Sequence, residues 1–164
     1  MKLRFLTAVV VAAVFLAACS TKKEETVKAA ASTPTISAPA PASGPAPDSI
    51  EYFNTVVGNV VTFGYDKYDI DAAAQSKLKG QAAWLKQYAA RTLTVEGHCD
   101  ERGTREYNLG LGERRANAVK QFLIAEGVSA NRVKTISYGK ERPTCVSSDE
   151  ACYSKNRRGA SLVQ

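Results

Sequence analysis

The chain has 164 residues, of which 45% are hydrophobic and 23% charged, and its formal net charge at pH 7 is +6. This length allows one ordinary domain with extensions and excludes two full hydrophobic cores. The composition is that of a globular protein and not of a disordered or membrane-embedded one. The basic excess is too small to indicate a protein specialised for nucleic acid.

The N-terminus has the pattern of an export signal. Two positive charges precede an apolar run at 5–18, which is the order of regions in a secretory signal. The run is shorter than the about 20 residues of a transmembrane helix, so we expect it to be cleaved. It ends in LAAC at 16–19, which resembles the bacterial lipobox. We therefore expect removal of residues 1–18 and lipid attachment to Cys19; the alternative is an ordinary signal that happens to precede a cysteine.

A tether is expected after Cys19. In bacterial lipoproteins, an aspartate directly after the lipidated cysteine favours retention in the inner membrane. This chain has Ser20 at that position, so the resemblance to lipoproteins implies location in the outer membrane. Residues 29–47 are almost entirely Ala, Ser, Thr, Pro and Gly, with too little apolar bulk to offset the entropy of ordering. We predict that 19–49 is a flexible linker, which spans roughly 30 Å as a random coil.

Residues 50–164 have the periodicity of one folded domain. Residues 92–99 alternate apolar side chains with polar ones such as Glu96 and His98, which predicts a half-buried strand. We expect strands at 59–63, 92–99, 132–138 and 160–163, and helices at 71–90, 105–126 and 149–156. Such alternation favours an α/β fold, a two-layer sandwich in which helices cover one face of a mixed β-sheet.

Apolar spacing indicates which helix faces are buried. In the first helix the buried face is expected to contain Ala74, Leu78, Ala82, Leu85 and Ala89. In the second helix the predicted stripe contains Leu111, Ala118, Val119 and Phe122. A spacing of 100 degrees per residue puts Arg115 near the middle of that stripe, whereas Arg114 falls at its edge.

The cysteines suit an oxidising compartment. Cys145 and Cys152 bracket a short polar loop, and an exported protein can oxidise such a pair to a disulfide. In the chain-entropy model the bridge contributes about 2 to 3 kcal/mol. Cys99 is expected to be a buried, inert thiol, because its position in the strand puts it on the apolar face with Val95.

Known catalytic and metal-binding patterns are absent from the sequence. It has one histidine and no HExxH, GxSxG or phosphate-loop motif. His98, Cys99 and Asp100 are adjacent, but neighbours on a strand point to opposite faces, so a shared metal ion is not expected. We therefore predict neither an enzyme nor a cofactor-dependent protein.

The turn after the second strand carries the strongest functional pattern. Residues 95–104 read VEGHCDERGT and lead into the helix that contains Arg115. An inward guanidinium keeps its charge and needs compensation, for which Asp100 is the best-placed carboxylate. One interpretation is an internal ion pair between the two. The other is a pocket in which Asp100 binds an ammonium while Arg115 and the amides near Gly103 and Thr104 bind a carboxylate.

The sequence resembles the OmpA-like family, in particular its peptidoglycan-associated lipoproteins. The likeness covers 60–158 almost without gaps and rests on an ordered series of motifs: FGYDKYDI at 63–70, VEGH at 95–98, DERGT at 100–104, EYN at 106–108, LGERRA at 111–116, SYGKE at 137–141 and SKNRR at 154–158. It implies an OmpA-like domain at 50–164 that binds diaminopimelate-containing peptidoglycan non-covalently. It also implies a lipid-anchored protein of the outer membrane that faces the periplasm and takes part in the Tol-Pal system of envelope integrity and cell division.

The resemblance also implies a ligand-binding set. Its residues are Tyr65, Asp66, Asp100, Arg102, Thr104, Leu111 and Arg115. Plain alternatives exist, since Tyr65 and Leu111 could belong to the core, Asp66 could cap a turn, and Arg102 could be a solvated charge. The implied partners are peptidoglycan and periplasmic Tol proteins.

Other functions have less support in the sequence. An envelope hydrolase would need an acid pair, and Asp100 and Glu101 are adjacent and poorly suited to that role. A module for nucleic acid or anionic lipid would have only Arg157 and Arg158 as its basic patch. The nearest alternative is another OmpA-like lipoprotein that binds peptidoglycan outside the Tol-Pal system.

Overall fold

A computed structural model describes residues 44–164 of the chain. A short helix α1 (Ile50–Tyr52) continues into one wider helical segment (Phe53–Gly58). The remaining elements are β1 (Val60–Thr62), α2 (Ala72–Gln87), β2 (Leu93–His98), α3 (Arg105–Ala125), β3 (Val133–Gly139), α4 (Glu150–Asn156) and β4 (Arg158–Val163). The expected signal at 1–18, Cys19 and most of the predicted linker lie outside the described residues.

The four strands of the described part form one mixed sheet in the order β1-β4-β2-β3. β4 is antiparallel to both β1 and β2, whereas β2 and β3 are parallel. A parallel pair needs a long crossover, and α3 supplies it. The predicted α/β fold with a mixed sheet is confirmed.

The core lies between the sheet and the two long helices. α2 buries Ala74, Leu78, Ala82 and Leu85 as predicted. Ala89 lies beyond the end of α2 and is exposed, so its predicted burial is wrong. Trp84 is also buried, and its ring lies 4.9 Å from that of Phe53 in the helical segment at 53–58.

The helical segment at 50–58 was not among the sequence predictions. Ser49 begins it by accepting a hydrogen bond from the Tyr52 amide at 3.0 Å. The Trp84 indole donates to the Pro47 carbonyl at 2.8 Å, and Arg91 donates to the Asp48 carbonyl at 3.0 Å. Pro47 and Asp48, which precede the first helix, are thus held near the C-terminal end of α2.

The second face of the sheet is less open than expected. Glu96 is half-buried, but His98 is only 1% exposed. The His98 ring stacks on Tyr138 at 5.6 Å, and the guanidinium of Arg142 lies 3.7 Å from the Tyr138 ring centroid. Side chains from β3 and the following loop therefore cover the end of β2 on this face.

The structure describes three of the four cysteines. Cys145 and Cys152 form a disulfide, and Cys99 is a buried free thiol. Within residues 44–164 no helix is long and apolar enough to cross a bilayer.

Candidate functional site

The site forms where the end of β2 meets the start of α3. These two elements touch through glycines: a Cβ on Gly97 would lie 1.8 Å from the Gly112 carbonyl oxygen. Only glycine allows this close approach. Thr104 begins α3 by accepting a hydrogen bond from the Tyr107 amide at 3.2 Å, the role of an N-cap.

The turn between β2 and α3 is held by side chains from neighbouring segments. The side-chain amide of Asn108 donates through Nδ2 to the carbonyls of Arg102 at 2.7 Å and Thr104 at 3.0 Å. From the loop after β3, Lys140 donates to the carbonyls of Glu101 at 3.1 Å and Gly103 at 2.7 Å. These four bonds fix the backbone that carries Asp100 and Arg102.

Asp100 is buried and is surrounded by arginine donors. Its Oδ1 accepts from the amide and the Nε of Arg102, both at 3.1 Å. Its Oδ2 accepts from Arg102 Nη2 at 2.6 Å and from Arg157 Nη1 at 3.3 Å. A carboxylate offers about four acceptor positions, so these contacts occupy its capacity.

The environment keeps Asp100 ionised. Burial by itself raises the pKa of this carboxyl, but the hydrogen bonds from Arg102 and Arg157 outweigh burial, and the net pKa is lowered. Asp100 therefore carries its negative charge at neutral pH. A buried carboxylate beside an opening is suited to binding a cation.

Arg115 is fully buried in α3. Its Nε donates to the Lys67 carbonyl at 2.8 Å, Nη1 to the His98 carbonyl at 2.8 Å and Nη2 to the Gly64 carbonyl at 3.1 Å. The inward direction predicted for Arg115 is confirmed, but the internal ion pair with Asp100, one of the two interpretations of the sequence, is not formed among the described residues. Backbone oxygens at the ends of two segments compensate the guanidinium, and sequence spacing does not reveal such acceptors.

Aromatic rings border the site. Tyr65 is 61% exposed, so it is not a core residue. The Arg102 guanidinium lies 4.2 Å from the Tyr65 ring centroid and 4.4 Å from that of Tyr153, close enough for cation–π contact on both sides. The Tyr107 hydroxyl donates to the Asp66 carboxylate. Arg102 is thus a held side chain and not a freely solvated charge.

These residues enclose a cavity of about 180 Å³. Every residue of the predicted ligand set lines it except Thr104, which caps α3 beside it. Drug-sized ligand sites measure about 300 to 1,000 Å³, so this cavity suits one small polar head group. Its walls carry both signs of charge, since two carboxylates and three guanidiniums line it: Asp66, Asp100, Arg102, Arg115 and Arg157.

Several pocket residues were missed by the sequence analysis. Arg157, which was considered only as part of a surface patch, is buried; besides Asp100 it binds the Phe63 carbonyl at 3.0 Å. Tyr107, Asn108 and Gly103 also line the cavity. The sequence offers no local signal for the burial of Arg157, because its acceptors Phe63 and Asp100 are distant in the chain.

Cys99 lies in the wall of the cavity. Its thiol donates to the Asn108 carbonyl at 3.3 Å, and burial raises the pKa of Cys99. A protonated, hydrogen-bonded thiol is a poor nucleophile. Residues 44–164 contain no group of three or more His, Cys, Asp or Glu side chains placed to hold a metal ion.

Comparison with known proteins gives the relationship of this chain. The OmpA family model matches residues 62–157. A peptidoglycan-associated lipoprotein of Mesorhizobium japonicum is 50% identical over 117 residues, covering 71% of this chain and 70% of that protein. One from Pasteurella multocida is 53% identical over 100 residues, covering 61% and 67% respectively. The crystal structure of the peptidoglycan-associated lipoprotein from Burkholderia pseudomallei matches with a TM-score of 0.65 at 36% identity, covering 68% of this chain and 96% of that one. The chain therefore belongs to the OmpA family, among the peptidoglycan-associated lipoproteins.

Proposed function

We propose that this chain is a lipid-anchored outer-membrane protein that binds peptidoglycan through the diaminopimelate residue of its peptide. The observation that carries the proposal is the small cavity with a buried, ionised Asp100 and the guanidiniums of Arg102, Arg115 and Arg157 in its wall. The side-chain end of diaminopimelate carries an ammonium and a carboxylate on one carbon. Charges of both signs at one opening complement that zwitterion. The names of the relatives support peptidoglycan as the ligand.

Binding requires a rearrangement of Arg102. Asp100 already accepts hydrogen bonds from Arg102 and Arg157, so an incoming ammonium has to replace some of them. Arg157 is buried and also tied to the Phe63 carbonyl, whereas the Arg102 side chain is 35% exposed. Arg102 is the side chain that can turn away, and in doing so it can meet the ligand's carboxylate.

Arg115 has donors left for the ligand. Its two terminal nitrogens each carry a second hydrogen, and only one donor of each is used by the backbone. The amides at the start of α3 add the partial positive charge of a helix N-terminus. We propose that these groups bind the carboxylate.

The decisive experiment is a pull-down of the full-length protein with purified sacculi. Asp100→Asn removes the charge that pairs with the ammonium, and we expect at least a tenfold loss of bound protein. Glu51→Gln is the matched control, because this exposed carboxylate lies on α1, outside the cavity lining. Undiminished binding of a folded Asp100→Asn protein would refute the site. Release of soluble fragments from the sacculi would instead indicate a hydrolase.

We further propose that the protein takes part in the Tol-Pal system and contacts its periplasmic proteins. The support is the relationship to the peptidoglycan-associated lipoproteins. Co-purification with the periplasmic Tol propeller protein after mild cross-linking tests this partner. Sacculus binding without that partner would make the chain a cell-wall lipoprotein outside the Tol-Pal system.

A further inference from the structure

A disulfide-closed loop lies against the wall of the cavity. The bridge joins Cys145 to Cys152, which is in α4. The side chain of Asn156, the last residue of α4, accepts from the amides of Thr144 at 2.8 Å and Cys145 at 3.1 Å and donates to the Cys145 carbonyl at 2.7 Å. The start of the loop is therefore attached to both ends of this short helix.

The closed loop touches the binding turn at two places. Ser148 in the loop and Tyr153 in α4 both donate to the Glu101 carboxylate, at 2.7 and 2.8 Å. Tyr153 also contributes one of the two rings that flank Arg102. Movement of α4 would therefore displace Glu101, which lies between Asp100 and Arg102 in the chain, and the Tyr153 ring that packs on Arg102.

Glu150 connects the loop to the cavity most directly. It is the first residue of α4, and its Oε1 accepts from Arg157 Nη2 at 2.6 Å. The same guanidinium donates to Asp100 through Nη1. Glu150 itself is not in the lining of the cavity, so its influence on a ligand passes through two lining guanidiniums: Arg157, and Arg102, whose Nη2 lies 3.7 Å from Glu150 Oε2.

We propose that the Cys145–Cys152 bridge and Glu150 are a positioning device for the pocket: the bridge fixes the start of α4, and from there Glu150 holds Arg157 against Asp100. Without the bridge, α4 and its loop can shift while the sheet and the long helices remain packed. Arg157 stays tied to the Phe63 carbonyl, but its Nη2 loses Glu150, and the contact of its Nη1 with Asp100 is weakened. This inference rests on the proposed function, because it assigns these residues to the affinity of the same site.

The test measures the affinity of the full-length protein for a soluble muramyl peptide that contains diaminopimelate. We expect Cys145→Ser/Cys152→Ser to raise the Kd about three- to tenfold while cooperative unfolding is kept. Glu150→Gln, which leaves the bridge intact, should raise the Kd by a similar factor. A triple variant that combines all three substitutions should bind no more weakly than the serine double variant. Glu141→Gln is the control, because within the described residues this exposed carboxylate pairs only with Arg105, at 3.3 Å and outside the cavity lining.

A second readout separates positioning from general stability. The carboxyl carbon of Asp100, followed by NMR, should titrate at higher pH in both Glu150→Gln and the serine double variant, and at unchanged pH in Glu141→Gln. A Glu150→Gln protein with wild-type Kd and an unshifted Asp100 titration would overturn the inference, whatever the fate of the serine variant. If the wild-type protein fails to bind the peptide, the proposed function fails instead.

Discussion

Arg115 carries its charge in the interior of the domain, where an unpaired guanidinium is very costly. The carbonyls of Gly64, Lys67 and His98 receive its hydrogen bonds. Two of these carbonyls belong to the loop after β1 and the third ends β2. One side chain of α3 therefore fixes the relative position of two segments that border the cavity, and its contribution to stability does not depend on any ligand.

Replacing Arg115 tests that structural role. Arg115→Leu leaves three backbone carbonyls without the guanidinium donors, and hydrogen bonds to charged groups contribute about 1.5 to 3 kcal/mol each. We expect the free energy of unfolding in urea to fall by about 3 kcal/mol or more. Arg114→Leu is the matched control, since Arg114 is exposed on the next position of α3 and should change stability by less than about 0.5 kcal/mol. Equal stability of the two variants would contradict the role assigned to Arg115.

At the scale of elements, local patterns predicted most of the fold. Every predicted strand and helix is present, and their ends differ by at most three residues from the predicted ones, as fraying ends do. The alternation in β2 and the apolar stripe of α3 can be recognised in the sequence, because burial of one face imposes a fixed spacing of apolar residues on each strand or helix. The helical segment at 50–58 escaped detection because its order depends on Trp84 and Arg91, which are far away in the chain.

The candidate site was predictable in part for the same reason. Asp100 and Thr104 follow from their place between a strand and a helix, and Arg115 follows from helical phase. The acceptors of Arg115 are backbone atoms from distant segments, and Arg157 reaches Asp100 only because β4 inserts beside β2. Such neighbours are set by strand order, which a linear pattern does not contain.

His98, on the second face of the sheet, should make the stability of the domain depend on pH. His98 in β2 donates through Nε2 to the Glu96 carboxylate at 3.3 Å and stacks on Tyr138 of β3, while its Nδ1 has no hydrogen-bond partner among the described residues. Burial, followed by the charges of Arg158 and Arg142, lowers the pKa of His98 to about 4. The folded protein thus binds this proton less readily than the unfolded chain does.

The sign of the effect follows from that difference. Between pH 6.5 and about 4 the unfolded chain binds the His98 proton and the folded protein does not, so stability falls as the pH is lowered. Allowing for screening, the loss is about 2 kcal/mol. His98→Phe keeps an aromatic ring on Tyr138 and removes the titration. Urea unfolding at pH 7 and pH 4.5 should show a smaller decrease for His98→Phe than for the wild type; parallel decreases would contradict this assignment.

The ionised carboxylate of Asp100 affects the stability of the domain in a different pH range. The lowered pKa of Asp100 means that its stabilising contribution is complete above the pKa of an unfolded Asp, which is about 3.9. It is lost only as the pH falls below that value and through the folded-state pKa. The two groups can therefore be separated in one titration, since the His98 effect appears first on acidification.

At the scale of the whole molecule, the preceding chain and the cavity lie at opposite ends of the sheet. The backbone of Pro47 and Asp48 is held by Trp84 and Arg91, just before β2 begins at Leu93. Asp100 follows the other end of β2. A six-residue strand is about 20 Å long. The cavity is therefore about one strand length away from the end of the domain that receives the preceding chain.

This arrangement predicts that anchoring and wall binding can be removed separately. Cys19→Ala should move the protein from the membrane fraction to the soluble fraction once the wall has been digested, because the proposed lipid chains supply essentially all the membrane affinity. The released protein should still bind purified sacculi, since the domain and its cavity are unchanged. Asp100→Asn should do the reverse and remain with membranes while losing sacculus binding. Membrane retention of Cys19→Ala after wall digestion would contradict the lipid anchor, and a joint loss of both properties in either variant would show that the two functions are not separable as the geometry of the domain predicts.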